Sequence, residues 1–279
     1  MREIFCDEII STVKRLFMEA NTRLGDDMMA VFQRSTETEE SPVGKEILGQ
    51  LIENANLSRE TGVPICQDTG LAVVFLEMGQ DVRIVGGNLI EAVNEGVRQG
   101  YKEGYLRKSV CHPFTRANTG DNTPAVVYVD PVPGDRLKII AVPKGGGSEN
   151  MSRLFMLPPS SGKAGVLDKI LETVRDAGPN PCPPTIIGVG IGGTFEQSAL
   201  QAKKALLRPV GSTNPDPELD TLEREWLVEI NKLGIGPQGL GGRTTSLALH
   251  IRMLPCHIAS LPVAINVQCH AARHKESIL

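Results

Sequence analysis

Aromatic side chains are scarce in this sequence: one Trp, three Tyr and seven Phe make up 4% of 279 residues. A chain so poor in rings lacks the stacking platforms that single-stranded nucleic-acid binders use. Positive charge is not in excess either. With 29 Lys and Arg against 33 Asp and Glu the net charge is −4, so no overall basic field draws nucleic acid or acidic lipid. No apolar run approaches the ~20 residues of a membrane span. The opening "MREIFCDEIISTVKRLF" carries charge through what would be a signal's apolar core, so neither a signal nor a transit peptide is expected. A cytoplasmic protein is expected, and its six cysteines (6, 66, 111, 182, 256, 269) then serve as metal ligands or buried thiols, not disulfides. The local CxxC spacing of zinc ribbons and ferredoxins is missing.

What is present is a mixed pattern of helical and strand periods. Ile9, Ile10, Val13, Leu16, Phe17, Ala20 and Leu24 recur with helical period. A second helix opens at "SPVGKEILGQLIENA", with Ser41 placed to cap and Pro42 at the first helical position. The acidic "STETEES" between them reads as a solvated linker. "LAVVFLEMG" and "DVRIVGG" predict strands, and Asn88 caps a helix to about Tyr101. "PAVVYVDP" and "RLKIIAVP", joined by "VPGD", predict a hairpin that delivers the glycine run "KGGGSEN". "SGKAGVLDKILETVRDAG" predicts a helix, "PTIIGVGIGG" a strand and tight turn before the helix "EQSALQAKKALL", with a further helix over about 219–233. "TSLALHIRML" and "ASLPVAINV" complete the strands. No repeat or domain linker is evident, which predicts one mixed α/β domain over residues 1–279: a mixed sheet with surrounding helices and a helical N-terminal portion.

Gly188-x-Gly190-x-x-Gly193 follows a strand and precedes a helix, as a dinucleotide fingerprint does. A Rossmann unit also needs a second strand ending in an acidic residue about twenty positions on. The stretch there, "RPVGSTNPDPELD", has no apolar strand, so close helix–strand packing is the expected role of these glycines. "KGGGSEN" reads as a flexible turn or as an anion-binding nest beside Lys144. "TRANTGDNTPA" reads as turn chemistry or as a loop that holds an arginine for a carboxylate. Three cysteines, in "VPICQDTG", "GPNPCPPT" and "NVQCHAARH", fall in loops, while Cys6 falls in a helix and Cys256 among apolar segments. Spacing alone leaves burial and a three-cysteine metal site both open.

"CQDTG", "RxNTGDNTPA", "KGGGSEN", "CPPTIIGVGIGG", "GPQGLGG" and "CHAARH" occur in this order. Together they closely resemble the class I fumarase/tartrate dehydratase family of iron–sulfur hydro-lyases, in its α subunit or N-terminal half, from about residue 5 onward. The resemblance implies a [4Fe–4S] cluster held by Cys66, Cys182 and Cys269. Three thiolates for four irons leave one iron open for substrate, as catalytic metal sites require. Separations of 116 and 87 residues between these cysteines hide the set from any local motif search. The resemblance further implies that Gln67 and Asp68 contact substrate, and that Asp68 handles the proton of the departing or arriving hydroxyl. It makes Arg116 a clamp for a substrate carboxylate and Gly146 the backbone contact from the glycine run. His270 and His274 are expected to support the loop or to handle protons, since thiolates already supply the cluster.

Single-chain relatives continue into a second domain with more cations and the proton-abstracting base. This chain is therefore expected to be an α subunit that pairs with a β subunit as αβ or α2β2. Its expected activity is fumarate hydratase, with L(+)-tartrate dehydratase as the alternative. Both act on a four-carbon dicarboxylate. A non-catalytic iron–sulfur redox sensor is the reading from another class, and it leaves the arginine loop and glycine run without a purpose.

Overall fold

The computed structural model describes residues 1–279 throughout. The chain begins with β1 (Arg2–Phe5), α1 (Cys6–Thr22), α2 (Asp26–Thr38) and α3 (Pro42–Thr61). There follow β2 (Leu71–Gly79), β3 (Val82–Val85), α4 (Leu89–Glu103), β4 (Val126–Val132), β5 (Leu137–Lys144) and the single turn α5 (Gly146–Glu149). The second half comprises β6 (Arg153–Leu157), α6 (Gly162–Ala177), β7 (Thr185–Gly193), α7 (Phe195–Ala205), α8 (Pro217–Asn231), β8 (Ser246–Cys256), β9 (Leu261–Gln268) and β10 (Lys275–Ile278). The class is mixed α/β, as the sequence predicts. No helix is long and apolar enough to cross a membrane.

These elements gather into two compact units, neither of them a continuous stretch. Unit 1 comprises Met1–Gly25, Ala55–Gly146 and Arg273–Leu279; unit 2 comprises Asp26–Asn54 and Gly147–Ala272. Two of the boundaries fall within α3 and α5, so no polar linker marks them in the sequence.

In unit 1 the sheet order is β10-β5-β2-β4. The strand β2, apolar almost from end to end, takes a central place, parallel to β4 and antiparallel to β5. β4 and β5 therefore do not form the expected hairpin. β2 lies between them, because burying its apolar run on two neighbours outweighs the short connection that would pair β4 with β5 directly. Helices α1 and α4 cover the sheet with Ile9, Val13, Phe17, Val93, Val97 and Tyr101, against Val74, Leu76, Leu137 and Ile139. Asn88 caps α4 as expected, accepting the amides of Ile90 at 2.9 Å and Glu91 at 3.2 Å.

In unit 2 the order is β6-β9-β7-β8, with β7 parallel to β8 and antiparallel to β9. β7 is buried along its whole length. A Cβ on Gly188 would stand 2.2 Å from the carbonyl of Ala202, and one on Gly190 would stand 2.0 Å from that of Ser198. The glycines thus let α7 lie against the strand, which is the packing role expected of them.

The acidic stretch 35–41 is not the solvated linker that its composition predicts. Residues 35–38 continue α2, and Glu39 is buried at 2% exposure. Its Oε1 accepts the amides of Glu40, Ser41 and Arg243, and its Oε2 accepts that of Thr244 at 2.7 Å. A carboxylate with four backbone donors belongs inside, and composition alone does not distinguish it from its solvated neighbours. Ser41 caps α3 through the amide of Gly44, as the sequence indicates.

Candidate active site

The segment Ile65–Gly70 of unit 1 leaves α3 through a short loop and enters β2. Gly70 has φ +80, and a Cβ there would lie 2.6 Å from the backbone nitrogen of Lys144, so the turn requires glycine. Its three consecutive carbonyls are held by three buried side chains. Arg273 donates through Nη2 to Asp68, Tyr101 donates to Thr69 at 2.8 Å and Gly70 at 2.9 Å, and Asn122 donates to Gly70 at 3.2 Å. Burial raises the Tyr101 pKa far above its ordinary value; Arg273 pulls it down and Asp68 pushes it up. Its hydroxyl is therefore a neutral donor at any working pH.

Within that frame the half-buried Asp68 is oriented by backbone amides. Oδ1 accepts from Gly70 at 2.9 Å, and Oδ2 accepts from Gly146 at 2.8 Å. Each carboxylate oxygen keeps a further acceptor position. The Asp68 amide points at Cys66 Sγ, 3.4 Å away, and the Cys66 thiol donates to Gln67 Oε1 at 3.3 Å. Gln67 is itself exposed.

Arg116 stands in the same unit on an exposed loop, with φ +61. Its side chain turns back to the carbonyl of Pro113 at 3.4 Å, so this structure ties its guanidinium to its own loop and not to the Asp68 turn. The loop is anchored by Asn122, whose Oδ1 accepts the amides of Ser109 and Val110, and by the bridge from Cys111 to Asn118. The amide of Gly146, the residue expected to contact substrate, is directed here to Asp68 Oδ2 at 2.8 Å.

Unit 2 brings together the loops of Cys182 and Cys269, the other two cysteines expected to hold the cluster. The carbonyl of Cys182 accepts from His270 Nδ1 at 3.0 Å and from the His270 amide at 3.4 Å, and His270 follows Cys269 directly. Cys182 is exposed, with φ +56, a conformation costly for a side chain with Cβ and concentrated at functional sites. "GPQGLGG" explains itself here. Gln238 donates from backbone and side chain to the Pro183 carbonyl, and Gly239 lies so close to Pro179 that a Cβ would be 2.5 Å from it. The motif braces the Cys182 loop from behind.

All six cysteines are free thiols. Cys66, Cys182 and Cys269 lie in loops and are exposed or half-buried, whereas Cys6 is buried at the start of α1 and Cys256 donates to the Ser260 carbonyl at the end of β8. Soft, accessible sulfur donors on hydrogen-bonded loops suit iron–sulfur ligation. In neither unit do three or more His, Cys, Asp or Glu side chains form a closed metal site; Cys66 belongs to unit 1, and Cys182 and Cys269 belong to unit 2.

The profile of a family described as "Fumarate hydratase (Fumerase)" matches residues 10–278. The chain belongs to this family. It is 44% identical to the "Putative L(+)-tartrate dehydratase subunit alpha" of Methanocaldococcus jannaschii, over 95% of each chain. It is 34% identical to the L(+)-tartrate dehydratase subunit alpha of Escherichia coli strain UTI89, over 91% of this chain and 84% of that one. Against the K12 counterpart the identity is 33% over the same shares. Hydratases and dehydratases alike are hydro-lyases, and the class I fumarase/tartrate dehydratase resemblance read from six motifs holds across the chain. Sequence reasoning missed Arg273, Tyr101 and Asn122. An arginine in "CHAARH" was visible, but nothing local marked it as reaching a turn 205 residues away.

Proposed function

We propose that this chain is the α subunit of an L(+)-tartrate dehydratase, converting L(+)-tartrate to oxaloacetate and water. The observation that carries the reading is 44% identity, over 95% of each chain, to a protein named as that subunit. Hydration of fumarate to (S)-malate is the second reading, and the description of the matching family favours it. Both reactions form or break one C–O bond next to a carboxylate.

In either case Cys66, Cys182 and Cys269 hold a [4Fe–4S] cluster. Bound there, the cluster supplies a Lewis-acid iron without a protein ligand. Asp68 exchanges the proton of the substrate hydroxyl. The amides of Gly70 and Gly146 fix its carboxylate in direction, while the free lone pair on each oxygen takes up or returns the proton. Gln67, exposed beside Cys66, contacts the substrate, and Arg116 swings from its loop to clamp a carboxylate in a two-pronged contact. A β subunit supplies the proton-abstracting base and further cations, in an αβ or α2β2 assembly within the reducing cytoplasm.

The test is turnover of L-tartrate, (S)-malate and fumarate by the reconstituted chain alone and with its β subunit, alongside light-scattering mass. Tartrate turnover by the pair and none by α alone is expected. Turnover confined to malate and fumarate selects the second reading, and full activity from α alone rejects the shared site.

A further inference from the structure

Arg273 opens the C-terminal segment of unit 1 and is 4% exposed. Its Nη2 donates to the Asp68 carbonyl, while Nε and Nη1 are buried with no hydrogen-bond partner. β10 begins two residues later and pairs antiparallel with β5, Lys275 opposite Ala141. β5 ends at Lys144, just before the Gly146 amide that holds Asp68 Oδ2. One strand pair therefore carries two of the three grips on Asp68, Arg273 on its carbonyl and Gly146 on its carboxylate.

Stability does not account for this arginine. A single carbonyl is satisfied by one neutral donor such as Asn or Gln. A guanidinium buried with two nitrogens unmet is instead costly relative to water. Such a cost is retained where the charge serves the chemistry of a site.

The geometry points to Arg273 as the positioning residue of the acid–base turn, fixing the Asp68 carbonyl and setting a cation behind the Cys66–Asp68 segment to which an anionic dicarboxylate is brought. This rests on the proposed proton-transfer role of Asp68. Without the guanidinium the Asp68 carbonyl loses its donor, and the aim of the carboxylate is left to the Gly70 and Gly146 amides alone. A misplacement of ~1 Å at a reacting group costs ~10²-fold in rate.

The experiment is a double-mutant cycle in the assembled, iron-loaded enzyme with Arg273→Met, Asp68→Asn and the pair. It reads kcat, KM, iron per chain and the thermal midpoint. Met suits the site because it removes the buried charge and its two unmet nitrogens while keeping an unbranched apolar side chain of similar length. Arg273→Met is expected to lower kcat ~10²-fold with KM within ~3-fold, at unchanged iron content, and Arg273→Lys to recover ~10-fold of that loss. In the Asp68→Asn background Arg273→Met is expected to cost nothing further. If Arg273→Met does not accumulate as folded protein, Arg273→Lys replaces it in the cycle with a ~10-fold loss expected. Losses that multiply in the pair, a kcat unchanged by Arg273→Met, or activity that falls in step with iron content would each overturn the inference. Wild-type turnover by Asp68→Asn would overturn the role of Asp68 instead, and the single variant alone identifies that outcome.

Discussion

Asp68 Oδ2 accepts the amide of Gly146 at 2.8 Å, a bond between residues 78 apart in sequence, while Oδ1 accepts the amide of Gly70. A carboxylate satisfies both donors and an amide satisfies one. Asp68→Asn therefore loses both the proton-transfer group and one of its two anchors. Turnover of the assembled enzyme is expected to fall by ~10²–10⁴ while iron content stays at the wild-type level. Activity within ~3-fold of wild type in steady-state assays would remove Asp68 from the mechanism.

The two glycines beside Asp68 differ in what they tolerate. A Cβ on Gly146 would stand 3.8 Å from Asp68 Oδ2, an ordinary contact, whereas one on Gly70 would stand 2.6 Å from the Lys144 nitrogen at φ +80. Gly70→Ala is expected to cost ~1–3 kcal/mol or more, and Gly146→Ala less than ~1 kcal/mol. Urea denaturation of the two variants checks the order, and equal losses would contradict the turn geometry.

Glu39 gives stability a defined pH dependence. Burial pushes its pKa up, but the amides of Arg243, Ser41 and Thr244 outweigh burial and hold it at about 2, against an ordinary 4.5. The folded pKa lies below the unfolded one, so this contribution is complete above the unfolded value and is lost as pH falls through the folded one. The difference corresponds to about 3 kcal/mol. Glu39→Gln is expected to destabilise at pH 7 by a similar amount, and its stability should depend less on pH below 4.5 than that of wild type. Parallel pH profiles in urea titrations would show that the carboxylate is not the group responsible.

The cysteines are tested without an activity assay. After anaerobic reconstitution the wild-type chain is expected to carry about four irons and four sulfides. Cys66→Ser, Cys182→Ser and Cys269→Ser should each lose most of that iron, while Cys6→Ser and Cys256→Ser keep it. A full complement in Cys182→Ser would discard the ligand set.

The sequence by itself determined what depends on neighbours along the chain. The α1 period, the Ser41 and Asn88 caps, the loop setting of Cys66, Cys182 and Cys269, and the packing role of Gly188 and Gly190 were all legible from residue type and local spacing. The ordered motifs also carried the family. Only the tertiary structure decided which partners meet across long separations. It set β2 between β4 and β5 in place of a hairpin, because strand order follows the burial of the most apolar strand and not the shortness of a turn. It also buried Glu39 inside an acidic run, because four backbone amides converge there from two segments 204 residues apart. Arg273, Tyr101 and Asn122 reach the carbonyls of one turn in the same way. Hydrogen bonds of this kind pair a side chain with a distant backbone group, and a backbone carbonyl has no residue type by which a sequence could announce it.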